Sequence, residues 1–328
     1  MKPWVKASIM LLFLSPLVAE LLTTATPPWQ FVNPVSLAIL LSLYGSGALL
    51  IREYRARRKL GFTSVLLLGL AYGVLEEGLA VETFFNPEWK DLGEYGVYGR
   101  WLGVNWVWSC YLAVFHSLWS IAVPIALVEA FYSEVESKAW LSRRTCTVLV
   151  GLISAVTLIL NLATPYTASI HLYILCIAVI ALLILLARRG SLEEIARTQA
   201  PRITPVKYSL YWFFWGLAFF IIFFAAPYTM PHPLIPIAVL ALMYWFSLRA
   251  IKLLDSGTPI YKYGFASSLI YALAILDVLA SLQPGGEYKL FIAIGFIVLV
   301  ALLGRRIASR KSGNGNGAQS IPRADQTT

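Results

Sequence analysis

Apolar stretches long enough to cross a hydrocarbon core about 30 Å thick recur along the chain at 5–24, 35–51, 62–85, 105–131, 145–163, 168–187, 208–226, 234–248, 264–282 and 289–304. The longest gaps between them, 86–104 and 188–207, are too short to fold as soluble domains. The pattern predicts an all-α protein, a polytopic transmembrane helix bundle of about ten spans that forms a single unit over 1–304. The remainder, 305–328, contains a Gly/Asn-rich run from Ser312 to Ser320 with no large apolar side chain to bury, and is expected to be a disordered basic tail. Span one follows Lys2 and Lys6 as a signal peptide does, but Pro16 and Glu20 interrupt it and it reaches spanning length, so it is read as a retained span. Inverted repeats usually show broken helices at matching positions in the two halves. Pro16 interrupts span one, whereas span six has neither Gly nor Pro in its middle.

Charge gives the direction of each crossing. Of 26 Lys and Arg residues, 23 fall at the N-terminus, in the tail, or in the alternate gaps 52–60, 132–144, 188–207 and 249–263; only Lys90, Arg100 and Lys289 fall in the others. Positively charged segments stay on the cytoplasmic side, which predicts both termini in the cytoplasm and a multi-pass protein of the plasma membrane. A hydrophobic share of 59% and a mean hydropathy of +0.71 agree with that class. The formal charge of +9 is then accounted for by topology and by attraction to anionic lipid, so the lipid bilayer is the expected partner and no nucleic acid is called for. Cys110, Cys146 and Cys176 lie inside apolar spans without paired spacing and read as small buried side chains.

Ionisable and amide side chains within spans are the candidates for function, because placing them in hydrocarbon is costly unless they face a protein interior. They are Glu20, Glu76, Glu77, His116, Asn161, His171 and Asp277. At about 1.5 Å per residue, His116 lies near its span's midpoint. Glu76, Glu77 and Asp277 lie about 5–6 Å outward, and Glu20, Asn161 and His171 about 9–10 Å outward, on the same rise. Glu129 is the one acidic residue read in the inner half of a span. This one-sided placement predicts a polar vestibule open to the outside with His116 at its floor. Asn105, Ser109, His116 and Ser120 share one helical face of span four. Gly69 and Gly73 form a small-xxx-small pair in span three whose row continues to Glu77, which predicts that Glu77 points into a helix–helix contact.

Two outer segments are aromatic and rich in turn residues, Phe84 to Trp101 and Pro27 to Pro34. They are read as interfacial anchors or as a lid over the vestibule, with Arg100 or Lys90 as a counter-charge and Asn105 and Arg100 among the candidate binding residues. His232, in the Met230-Pro231-His232-Pro233 turn, is read as a surface residue.

The order Glu76-Glu77 on one span, His116 on the next and His171 two spans later resembles, in part, the type II CAAX prenyl endopeptidase and bacteriocin-processing membrane family. That family carries a Glu-Glu-x-x-x-Arg, a Phe-x-x-x-His and a His-x-x-x-Asn motif on separate helices. Here Val81, Leu112 and Leu175 stand at the Arg, Phe and Asn positions, so Glu76, Glu77, His116 and His171 alone carry over. The resemblance implies an intramembrane hydrolase.

Two chemistries use these residues. In a metal-dependent hydrolase, His116 and His171, with Glu77, hold a divalent metal such as zinc, and Glu76 activates a water; Glu76, Glu77 and His116 are its catalytic candidates. In a proton- or cation-coupled transporter, Glu20, Glu76, Glu77 and Asp277 bind the ion and His116 relays protons. A transporter also needs polar groups in the inner half, of which the sequence shows few. A non-catalytic scaffold is the third possibility. The resemblance places hydrolysis first.

Overall fold

The computed structural model describes residues 1–189 and 203–315. Ten of its helices are long and apolar enough to cross a membrane: α1 Pro3–Leu21, α2 Pro34–Arg58, α3 Phe62–Ala80, α4 Trp106–Phe131, α5 Arg143–Ala163, α6 Ile170–Ala187, α7 Pro205–Thr229, α8 Leu234–Ser256, α9 Pro259–Ala280 and α10 Glu287–Ser309. Ten apolar helices with their backbone groups paired internally meet the demand that lipid makes of a spanning chain. Each falls where the apolar pattern places a span. We call the end of the bundle that carries residues 81–105 its outer end.

The bounds differ from the apolar runs where charge is neutralised. α2 continues through Arg52 and Arg55 to Arg58, and α8 continues through Asp255, because these charges pair with one another inside the bundle, as described below. α3 ends at Ala80 rather than 85, where Glu82 takes a left-handed backbone (φ 58°) and the chain turns into the outer loop. The last helix continues to Gly315, beyond the start expected for the tail; the rest of the tail, with Arg323, and the Arg197 and Arg202 segment lie outside the described residues.

α4 is the hub, with 89% of its apolar window buried. α1, α2, α3, α8 and α9 pack around it. The pair Gly69 and Gly73 brings α3 against it: a Cβ on Gly69 would stand 2.7 Å from the Ser117 Cα, and one on Gly73 would stand 2.9 Å from the Ala113 Cα. The small-xxx-small expectation therefore holds. Ser117 closes the same seam, donating to the Leu66 carbonyl at 2.7 Å and meeting the Tyr244 hydroxyl at 2.7 Å. The Trp119 indole ties α4 to α9 through the Leu269 carbonyl at 3.1 Å. By contrast, α5 is 6% buried and α6 17% buried, a peripheral hairpin whose apolar side chains face outward.

The outer loop is ordered by its own contacts. β1 (Arg100–Trp101) pairs antiparallel with β2 (Val104–Asn105) across Leu102 and Gly103, both with positive φ (52° and 78°), as a tight hairpin turn requires. Tyr95 stacks on Phe223 of α7 and its hydroxyl donates to the Phe223 carbonyl. The Tyr98 hydroxyl donates to Met230 O at 3.0 Å. Trp29, from the other aromatic segment, packs instead edge-on against Tyr288 at the start of α10. The two segments thus dock on different helices, α7 and α10, in place of the shared lid expected.

Candidate functional site

Four of the membrane helices contain a π-helical turn, and the candidate residues sit on those turns. Leu17–Leu21 carries Glu20, Leu41–Gly45 carries Tyr44, Leu75–Ala80 carries Glu76 and Glu77, and His116–Ala122 carries His116 and Ser120. A π turn wraps one extra residue into the coil and is enriched at functional sites. The four converge on His116. Its Nε2 lies 2.8 Å from Glu77 Oε1, and its Nδ1 lies 3.2 Å from Glu76 Oε2 and 3.0 Å from the Ser120 hydroxyl. Glu76, Glu77 and His116 offer ligand-type atoms that all fall within 4.8 Å of one another, and all three are buried.

The cluster extends outward. The Thr83 hydroxyl donates to Glu77 Oε2 and accepts from the Trp108 indole at 3.1 Å. The Tyr44 ring stacks on His116 with centroids 6.2 Å apart, while its hydroxyl donates to Glu20 Oε1. The other Glu20 oxygen accepts from Thr26 Oγ1 at 2.5 Å. Glu20 is half-buried. A run of polar groups therefore leads from Thr26 near the outer end, through Glu20, to Tyr44, whose ring stacks on the imidazole deep in the bundle. The Tyr72 ring closes the third side, 6.0 Å from Tyr44 and 6.1 Å from His116.

The remaining candidates fall elsewhere. His171 is exposed in the first turn of α6, its Nε2 3.1 Å from the Ser169 hydroxyl; the peripheral position of α6 keeps it from the cluster. Asn105 caps α4, accepting from Trp108 N at 3.0 Å and donating to the Tyr95 carbonyl, so its amide is spent on structure, and the Ser109 hydroxyl returns to Asn105 O. The polar face expected on α4 thus reduces to His116 and Ser120. Arg100 is half-buried and donates to the carbonyls of Phe85 (2.8 Å), Gly96 (3.2 Å) and Asn86 (3.4 Å). Burial lowers its pKa from the usual guanidinium value, and it clamps the outer loop rather than facing the acids. Asp277 is buried near the outer end of α9, with Oδ2 lacking a hydrogen-bond partner, and lies outside the Glu76–Glu77–His116 group. Asn161 donates to Glu82 Oε1 at 2.6 Å. Glu82, unread in the sequence, is fully buried and also accepts from Tyr173 and from Ala168 N, latching the α5–α6 hairpin to α3.

A second polar network occupies the inner half. Glu129 on α4 accepts from Arg52 Nε at 3.2 Å and from Arg55 Nη1 at 2.9 Å, with Lys262 Nζ 3.4 Å away. Arg55 also meets Asp255 at 2.9 Å, and Lys262 meets Glu136 at 2.5 Å. Arg52 caps the carbonyls of Lys138, Val135 and Glu136 and lies 3.5 Å over the Trp140 ring. Arg52, Glu129 and Lys262 are fully buried. Reading Arg52, Arg55 and Lys262 as loop charges is thereby corrected: opposite charges from α2, α4, α8 and α9 neutralise one another inside the bundle.

The fold and these networks define a polytopic α-helical membrane protein with a buried Glu/His cluster. The model of an uncharacterized membrane protein family matches residues 9–314, and the chain belongs to that family. No curated protein and no solved structure matches it.

Proposed function

We propose that the protein is a proton- or cation-coupled membrane carrier whose ion site is Glu20, Glu76, Glu77 and His116. One observation carries this: a buried imidazole has a carboxylate oxygen against each of its ring nitrogens. Nε2 is hydrogen-bonded to Glu77 and Nδ1 to the Ser120 hydroxyl, while Glu76 Oε2, 3.2 Å from Nδ1, is buried without a hydrogen-bond partner and is the oxygen open to an added proton or cation. Two carboxylates contact this one imidazole, a third, Glu20, is held beside it by Tyr44 and Thr26, and among the described residues no Arg or Lys forms an ion pair with any of the three. Such a cluster takes up protons or a cation. The inner network supports the same reading. It supplies the polar groups a carrier needs in that half, on α2 and α4, which also carry Tyr44 and His116. Its ion pairs separate the site from the inner end, the end that the charge distribution assigns to the cytoplasm.

The test uses purified protein in liposomes with a trapped pH dye and gradients of Na+, K+, Mg2+ or ethylammonium imposed one at a time. At least one gradient is expected to move protons the opposite way, and Glu77→Gln and His116→Gln to abolish the movement while eluting as the wild type does. No pH change beyond protein-free liposomes for any gradient, or equal signals in both variants, overturns the reading.

The convergence of Glu76, Glu77 and His116 supports a second reading, an intramembrane hydrolase similar to the CAAX endopeptidase family. The donor set fits zinc poorly. One imidazole is present rather than two, and each of its nitrogens already meets a carboxylate. The chemistry left to such an enzyme is activation of water by Glu76 with His116 as proton partner. Cleavage of a prenylated peptide in detergent, lost in Glu76→Gln, is its expected outcome; no cleavage by the wild type removes it.

A further inference from the structure

At the inner end, where the last turn of α2 meets the first turn of α5, an open surface depression of about 430 Å³ is lined by Arg57, Arg143 and Cys146. The Arg57 guanidinium is held in place: its Nε donates to Glu53 at 2.7 Å and its Nη2 to the Leu141 carbonyl at 2.5 Å. Glu53 is itself buried, and also accepts from Trp140 N at 2.8 Å and Leu141 N at 3.3 Å. The fork leaves Nη1 without a protein acceptor among the described contacts. Arg143 is exposed and joins no ion pair among the described residues, whereas Arg57 is paired with Glu53, so Arg143 supplies the unneutralised positive charge here. Above it, on the side of α5 that continues from Arg143 and Cys146, Val150 and Leu158 are 51% and 58% exposed. A fixed guanidinium, a free one and these two apolar side chains make a surface with a head site and room for an acyl chain beside it.

The geometry points to an anionic phospholipid bound here, its phosphate between Arg57 and Arg143 and an acyl chain along α5. The charge selects an anionic headgroup over a zwitterionic one, since basic groups between helices at the positive end attract anionic lipid. The two apolar side chains select lipid over free phosphate. The site is separate from the Glu/His cluster and does not depend on what that cluster does.

Cys146 lines the depression and reports its occupancy. Full-length protein carrying Cys110→Ala and Cys176→Ala is placed in nanodiscs of phosphatidylcholine, alone or mixed with phosphatidylglycerol, and alkylated with a neutral maleimide. Phosphatidylglycerol is expected to slow alkylation of Cys146 roughly threefold or more, as one anionic lipid held by two basic groups implies. Arg143→Gln, an exposed substitution that leaves the Glu53 contacts intact, is expected to remove most of that protection, and Arg57→Gln with Arg143→Gln all of it. Equal rates in the two nanodiscs overturn the proposal, as does equal slowing in the double variant, which would mean general shielding by lipid charge. Equal protection by inorganic phosphate added to phosphatidylcholine nanodiscs would show a free-anion site and no lipid specificity.

Discussion

Removing the Glu129 carboxylate tests whether the inner network is a neutral plug or a collection of independent charges. In the wild type this carboxylate faces Arg52 at 3.2 Å, Arg55 at 2.9 Å and Lys262 at 3.4 Å, with no exposed surface. Breaking a buried pair by deleting one partner costs about 3–5 kcal/mol, because the other charge is left uncompensated. All three cations keep a carboxylate in Glu129→Gln: Arg55 keeps Asp255 at 2.9 Å, Lys262 keeps Glu136 at 2.5 Å and Arg52 keeps Glu53 at 3.7 Å. Arg52 also keeps three carbonyls and the Trp140 ring. That residual pairing places the expected loss at the low end, about 3 kcal/mol. The measurement is reversible unfolding in mixed detergent micelles, followed by tryptophan fluorescence. A double-mutant cycle with Arg52→Gln is expected to show coupling, the second substitution costing less in the Glu129→Gln background than alone. A loss below about 1 kcal/mol, the scale of an exposed pair, or strictly additive costs, would refute the claim that these charges act as one neutralised unit.

Other expectations follow from the packing. Gly69→Ala places a methyl against the Ser117 backbone, which cannot turn aside as a side chain can, so overpacking is expected to cost about 1–3 kcal/mol. Gly151→Ala on the open face of α5, with nothing within 4 Å, is the control and is expected to leave the thermal midpoint unchanged or raised. Arg100→Ala frees the carbonyls of Phe85 and Gly96 and is expected to speed protease cleavage within 86–101 without unfolding the bundle; an unchanged rate would deny Arg100 its clamping role. Sidedness is checked with Asp91→Cys and Arg144→Cys, each in a background with Cys110, Cys146 and Cys176 replaced by Ala. In intact cells, a membrane-impermeant maleimide is expected to label the first and spare the second, and the reverse pattern would invert the assigned topology.

The apolar runs located all ten helices because lipid imposes length and hydrophobicity locally, and the close approach at Gly69 and Gly73 was legible for the same reason. What escaped was long-range or depended on helix phase. Arg52 and Arg55 read as loop charges because their neutralising partners, Glu129 and Asp255, lie far along the chain. Glu82 lies within the apolar run 62–85 but was not among its candidate residues; the structure ends α3 before it, and Asn161, Tyr173 and the Ala168 amide bury it. Asn105 and Arg100 looked like site residues because a polar residue in an outer loop cannot be told, in one dimension, from a helix cap or a carbonyl clamp. His171 matched the spacing of a motif, but α6 packs at the edge of the bundle and leaves it exposed. Glu76, Glu77, His116 and Glu20 were singled out as ionisable side chains within spans, by helical row and by resemblance, but Asp277 and His171 share their depths and stay outside the group. The π turns that carry them have no signature in a 3.6-residue period, so the convergence on one imidazole could not be read.

The two networks differ in charge balance, and this difference sustains the functional proposal more than either network does alone. Inside, Arg52, Arg55 and Lys262 face Glu129, Asp255 and Glu136 as like numbers of opposite charges, so nothing further needs to bind. Outside, Glu76 and Glu77 share one imidazole while Glu20 is held by Tyr44 and Thr26, an excess of acid that the proposed carrier meets with protons or a cation. A purely structural cluster gains nothing from such an excess, because burying unmatched acids is costly. Persistence of the excess in the bundle, on four helices that each give up regular α geometry to form it, is what an exchangeable ion explains and a structural tie does not. α4 carries His116 in one network and Glu129 in the other, so a shift of this one helix that opens the inner pairs also moves the imidazole relative to Glu76 and Glu77. On the proposed carrier reading, α4 itself would couple ion binding to opening. That reading predicts that Glu129→Gln, besides weakening the fold, increases labelling by maleimide, from the inner end, of a cysteine placed at Ser46, which is buried between the two networks.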